Sequence, residues 1–165
     1  MSAFLKGLLL AALHIAIVGS LGVKLQYDRA TRPRVWARAA PVDPNLPIRG
    51  RYVGLGLDVG VDPALNLVSP TSTQVALVVR DNRLVAVPSS GTTGVWAHGV
   101  VRDGRQLAVL DQPLAYFIPE HVADPSIRQA GEELWVEVTI PRRGAPRPIR
   151  LGVKKDGVLT PLELK

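Results

Sequence analysis

Between Lys6 and Lys24 the chain runs for 17 residues, Gly7 to Val23, without a formal charge. As an α-helix this run is about 26 Å long, close to the roughly 30 Å hydrocarbon core of a bilayer, and the two lysines can snorkel to its interfaces. Tyr27 follows where an interfacial aromatic residue belongs. A cleaved signal peptide is the rival reading, with Lys6 as its leading charge and Val18-Gly19-Ser20 as a small-residue cleavage site. The run exceeds the 7–15 apolar residues of a signal core, so a retained single-pass anchor over 1–28 is expected.

Charge is unevenly placed. The chain carries 20 Lys and Arg against 14 Asp and Glu, a net +6. Five of those cations (Lys24, Arg29, Arg32, Arg34, Arg38) crowd beside the apolar run with only Asp28 among them, whereas residues 48–165 are nearly balanced. A juxtamembrane basic collar fits this better than a nucleic-acid face, which spreads its cations over the domain, so the bilayer and not nucleic acid is the expected partner. Counting cations on the two sides of the run argues for a cytoplasmic domain. The short tail with Lys6 before the run has the form of an export signal, and we take the C-terminal domain to be extracytoplasmic, on the cytoplasmic membrane.

Within the run, His14 is an ionisable group in hydrocarbon, and Gly19 and Gly22 remove side chains that keep a neighbouring helix away. His14, Gly19 and Gly22 are therefore the candidate interface with another integral membrane protein.

Residues 29–47 hold four prolines and no sustained period, so a basic, Pro-rich linker is expected there, with Val35–Ala39 able to start a strand and dock Trp36. From residue 48 to 165 the pattern is β. Arg51–Val59 alternates in part, Gln74–Val79 and Leu84–Val87 flank a turn at Asp81-Asn82-Arg83, and Asp103-Gly104 and Asp156-Gly157 each separate two strand-like runs. Tyr116–Ile118 and Leu134–Ile140 add two more strands. The expected fold is all-β, an antiparallel sandwich or open barrel of about eight short strands after one transmembrane helix.

Pro41-Val42-Asp43-Pro44 followed by Ile48-Arg49-Gly50-Arg51-Tyr52-Val53-Gly54-Leu55, and later Tyr116-Phe117-Ile118-Pro119-Glu120, resemble the two signatures of the GDYxxLxY family of bacterial membrane-anchored proteins. The signature positions are Gly50, Tyr52, Leu55, Phe117, Pro119 and Glu120; the motif's Asp is Arg51 here and its last Tyr is Leu57, the marks of a divergent member. The resemblance implies an anchored domain outside the cytoplasm, in the periplasm, working beside multi-spanning membrane proteins, and no particular reaction.

Polar residues suited to chemistry are few. Cysteine is absent, which excludes thiolate nucleophiles and thiolate metal sites. Glu120-His121 is the one adjacent acid–imidazole pair, and with His98 it is the candidate acid–base or metal site; the plainer reading is a structural loop. Tyr52, Tyr116 and Phe117 read as core aromatics, and Gly54-Leu55-Gly56 as a bulge or a close backbone contact, not a phosphate loop. The expected function is a non-catalytic accessory or structural subunit that binds a larger membrane protein complex and needs no cofactor. The alternative is an envelope-facing binding module or hydrolase with a site near Glu120 and His121.

Overall fold

The computed structural model describes residues 3–42, 50–67, 71–91, 94–102 and 104–164. One helix, α1 (Ala3–Thr31), precedes ten strands. The helix segment through Arg32 and the β domain from Pro33 onward are separate compact units. α1 stops where it does because Pro33 disfavours helical geometry at Arg32, and Arg32 instead turns back to Asp28 in an ion pair of 3.0 Å.

The strands are β1 (Arg34–Val42), β2 (Tyr52–Val61), β3 (Thr73–Arg80), β4 (Arg83–Pro88), β5 (Val95–Arg102), β6 (Arg105–Leu110), β7 (Leu114–Phe117), β8 (Glu132–Thr139), β9 (Arg147–Lys155) and β10 (Val158–Pro161). Three hairpins close through two-residue turns. Asp81 and Asn82 (φ 50° and 57°) join β3 to β4, and Asp156 and Gly157 (φ 50° and 82°) join β9 to β10, the positive-φ pairs whose twist matches the flanking strands. Arg102 pairs with Arg105 across the third, where Gly104 has φ 70° and Asp103 lies outside the described residues.

β2 is the hub. Along one edge it meets β1 (Gly54–Asp58) and then β4, in a short parallel contact at Gly60 and Val61. Along the other it meets β7 (Tyr52–Leu55) and then β6 (Asp58–Gly60). The pairings β2–β4–β3–β5–β6–β2 close on themselves, while β1, β8, β9 and β10 extend an antiparallel sheet from the first half of β2. A strand paired on both edges and covered on both faces has no solvent side, so Val53 to Leu57 are buried without alternation. A side chain at Gly56 would have to displace Val42, because an added Cβ would stand 2.9 Å from Val42 Cγ2. Leu55, Leu57 and Val59, each fully buried, anchor the core with Val35, Val75, Val136, Val138 and Leu151, at about 1.5–3 kcal/mol per side chain.

Two boundaries differ from the sequence reading. Residues 34–42, assigned to a linker over 29–47, are β1, an interior strand between β2 and β8. Its inward residues Val35, Ala37 and Ala39 are buried, while Trp36 and Arg38 point outward. Pro41 is tolerated near the end of the strand, and the rest of the expected linker, 43–47, lies outside the described residues. The helix also continues past the expected boundary at residue 28 to Thr31. Among the described residues ten strands form, against the expectation of about eight, and the short runs expected at Val35–Ala39 and after Asp156-Gly157 are both strands, β1 and β10.

Candidate functional site

α1 contains a 25-residue candidate span, Phe4–Asp28, whose most apolar 18 residues have a mean hydropathy of 2.0 with none of them buried. His14 Nδ1 donates to the carbonyl of Leu10 at 2.8 Å, so one of its two ring nitrogens is satisfied by the helix itself. Ser20 likewise donates to the carbonyl of Ile17 at 2.8 Å. Gly19 and Gly22 have nothing within 4 Å of an added Cβ. At about 100° per residue, His14, Gly19 and Gly22 span an arc of about 140°, a broad open side instead of one narrow seam.

In the β domain the two segments that carry the family resemblance are strand partners. Tyr52 faces Phe117 across β2 and β7, and Ile118 N donates to the Arg51 carbonyl at 3.0 Å. The Arg51 guanidinium donates to the backbone carbonyl of Glu120, so the residue in the place of the motif's acid ties β2 to the turn after β7. β7 pairs with β2 alone and ends before Pro119, as an edge strand stopped by proline does. Leu55 is buried and Tyr52 half-buried, but Phe117 is 59% exposed, against the expectation of a core aromatic. Gly50, with φ 111°, supplies a backbone conformation that other residues avoid.

Glu120 and His121 are exposed on that turn, whereas His98 sits on the outward face of β5 and hydrogen-bonds Asp111 (Nδ1 to Oδ1, 2.8 Å). Among the described residues no group of three His, Asp or Glu side chains could hold a metal ion, so the candidate His98, Glu120 and His121 do not come together as a metal site. A hydrogen bond fixes Asp124, three residues on, in a turn over Ser126 (Oδ1 to N, 2.8 Å).

Asp111 is the residue the sequence reading passed over. Burial pushes its carboxyl up, but hydrogen bonds from His98 and Ser72 outweigh this and hold it below the ordinary carboxylate range. Ser72 and His98 therefore both donate to the same carboxylate. In a nucleophile–base pair the imidazole stands between hydroxyl and acid, so this cluster positions Asp111 and does not activate Ser72. Beside it is a cleft of about 370 Å³ lined by Trp96, Leu110, Asp111, Gln112 and Pro113 among others, with Trp96 58% exposed. The signal was legible in part: counting outward from the Asp103-Gly104 turn places Asp111 opposite Trp96, and Asp111 N does donate to the Trp96 carbonyl at 3.0 Å.

Compared with protein-family models, curated proteins and solved structures, the chain matches none.

Proposed function

We propose that this chain is a single-pass membrane protein whose β domain, on the extracytoplasmic side, serves as a non-catalytic accessory subunit of a larger membrane protein complex. The observation that carries the reading is the 25-residue apolar span of α1, exposed on every side, attached to a separately folded β domain. Water solvates such a surface at a large cost in free energy, which a bilayer removes. The direct pairing of the two segments that resemble the GDYxxLxY signatures supports a divergent membership of that family, with its bacterial, periplasm-facing setting. The open side at His14, Gly19 and Gly22 is the surface offered to a neighbouring helix.

The test is a tagged full chain expressed in a bacterial membrane. Alkaline carbonate should leave it in the membrane pellet, protease added to spheroplasts should remove the β domain, and purification in mild detergent should recover an integral membrane protein with it. His14→Leu with Gly19→Leu should reduce that recovery while insertion persists. Release by carbonate refutes the anchor, and full protection from protease reverses the orientation. A partner retained undiminished by the double variant removes the helix interface.

A second reading has its own observation, the cleft at Trp96 and Asp111. An exposed indole beside a carboxylate and the Gln112 amide suits an envelope-facing binding module, and it moves the alternative site away from Glu120 and His121. A ligand that protects Trp96 fluorescence from quenching, and loses this in Asp111→Asn, favours that reading.

A further inference from the structure

Arg34 and three arginines from more than a hundred residues later, Arg142, Arg143 and Arg147, collect at one end of the β domain. Arg34 opens β1 and is paired in register with Thr139 at the end of β8, which is paired in turn with Arg147 at the start of β9. Arg142 and Arg143 lie in the connection from β8 to β9, between Pro141 and the buried Pro146, with Gly144 (φ 84°) making the turn. All four are exposed. Among the described residues no carboxylate lies within ion-pair distance of Arg142, Arg143 or Arg147. The acids of the same three strands are elsewhere: Glu132 and Glu133 start β8 at its opposite end, and Glu137 is bound by Arg150 at 2.7 Å. Charge is thus polarised along this sheet.

The positive end is also the end where the chain leaves α1. The Pro33 carbonyl accepts a hydrogen bond from Ile140 N at 3.2 Å, which fixes residue 33 beside the last residues of β8. The apolar span ends at Asp28 and the helix at Thr31. With about 1.5 Å per helical residue and at most about 3.5 Å per extended one, Pro33 stands no more than about 12 Å from the end of the span, whatever angle helix and domain adopt. A charged bilayer surface acts over a Debye length of about 8 Å at physiological salt, and a tether this short lets the arginine-bearing end of the domain reach it. Guanidinium groups bind phosphate oxygens in a bidentate fork, and a loop braced by two prolines loses little freedom in doing so.

We propose that this end of the β domain, Arg34, Arg142, Arg143 and Arg147, is a docking surface for anionic phospholipid headgroups. The proposal rests on the membrane-anchored reading. It extends the basic collar legible beside the apolar run to a loop more than a hundred residues away.

The test uses the full chain in nanodiscs of phosphatidylcholine alone or of an equal mixture of phosphatidylcholine and phosphatidylglycerol. Amide hydrogen exchange over 141–147 should slow in the mixed discs and not in the neutral ones. The phosphatidylglycerol retained on the chain after mild detergent extraction should fall about fivefold per arginine removed in Arg142→Glu, Arg143→Glu and Arg147→Glu. A control with Lys154→Glu and Lys155→Glu, at the other end of β9, should retain both signals. Equal exchange in the two discs, with the chain still resistant to carbonate, overturns the lipid surface and leaves the anchor standing. Slowing by inorganic phosphate added to neutral discs overturns it in favour of a small-anion site. Release of the chain by carbonate overturns the inference together with the anchor.

Discussion

The ring of Tyr52 on β2 lies 6.1 Å from that of Phe117 on β7, tilted by 50°, at the point where the two signature-like segments pair. Such a tilted pair contributes about 0.5–1.5 kcal/mol beyond its buried area, and the exposure of Phe117 puts it at the lower end. β7 is held instead by Leu114, only 5% exposed at the other end of the same pairing. A double-mutant cycle with Tyr52→Leu and Phe117→Leu, read by urea unfolding, should give a coupling of about 0.5 kcal/mol, whereas Leu114→Ala should cost about 2–5 kcal/mol. Equal costs for the two ends would show β7 held by its aromatic tip.

Trp36 is packed on its own sheet. Its ring lies against Gly152 of β9, where an added Cβ would meet Trp36 at 2.8 Å and the backbone carbonyl of Thr160 at 3.1 Å, and the Arg150 guanidinium stands over the ring with Cζ 5.3 Å from its centroid. Gly152→Ala must therefore displace the indole, and should destabilise the domain by about 1–3 kcal/mol. Trp36→Phe in the same background should recover part of the loss, since the smaller ring leaves room. No recovery would place the strain at Thr160.

The turn between β3 and β4 uses two residues with side chains at positive φ, Asp81 and Asn82, where its counterpart between β9 and β10 uses Asp156-Gly157. Glycine carries no Cβ penalty at such positions. Asn82→Gly should raise stability by about 0.5 kcal/mol, and Asn82→Val should lower it by 1 kcal/mol or more, about the cost of a β-branched residue in the left-handed region. Gly157→Ala should be destabilising in the same sense, and the three urea midpoints check all of this together.

What the sequence displayed was local. The three two-residue turns are written in adjacent residues, and so is the apolar run, because both depend on neighbours a few positions apart. The hub role of β2 was hidden, since its four partners come from residues 34–42, 83–88, 105–110 and 114–117 and no periodicity records pairing at that range. The strand expected over Val35–Ala39 is longer and more central than its sequence suggests, because its inward side chains, Val35, Ala37 and Ala39, are small and its surroundings are basic and proline-rich. The Asp111 cluster was missed for a different reason. His98 and Asp111 come together by the register of one hairpin, but Ser72 arrives from the segment before β3, and nothing in its neighbours marks it.

Three carboxylates of the folded domain, Asp62, Asp124 and Asp111, are held below their ordinary range. Asp62 is held below its ordinary value of 3.8 by the Ala64 amide and then by Arg80, and Asp124 by the hydroxyl and then the amide of Ser126. Asp111 is lowered by His98 and Ser72 against the opposing effect of burial. In the unfolded chain all three take up protons near pH 3.9, while in the folded domain they resist until lower pH. Acid therefore favours the unfolded state: the stability these groups contribute is fully present above about pH 5 and is lost as pH falls through 4 and below. For the full chain in detergent micelles, the urea midpoint should be flat from about pH 7 to 5 and decline steeply below about 4. Asp111→Asn and Asp124→Asn should each lower the neutral-pH midpoint and make the acid decline shallower, because the amide retains shape without the titrating charge. A midpoint that rises on acidification, or a decline equally steep in both variants, would mean that other carboxylates govern the acid transition.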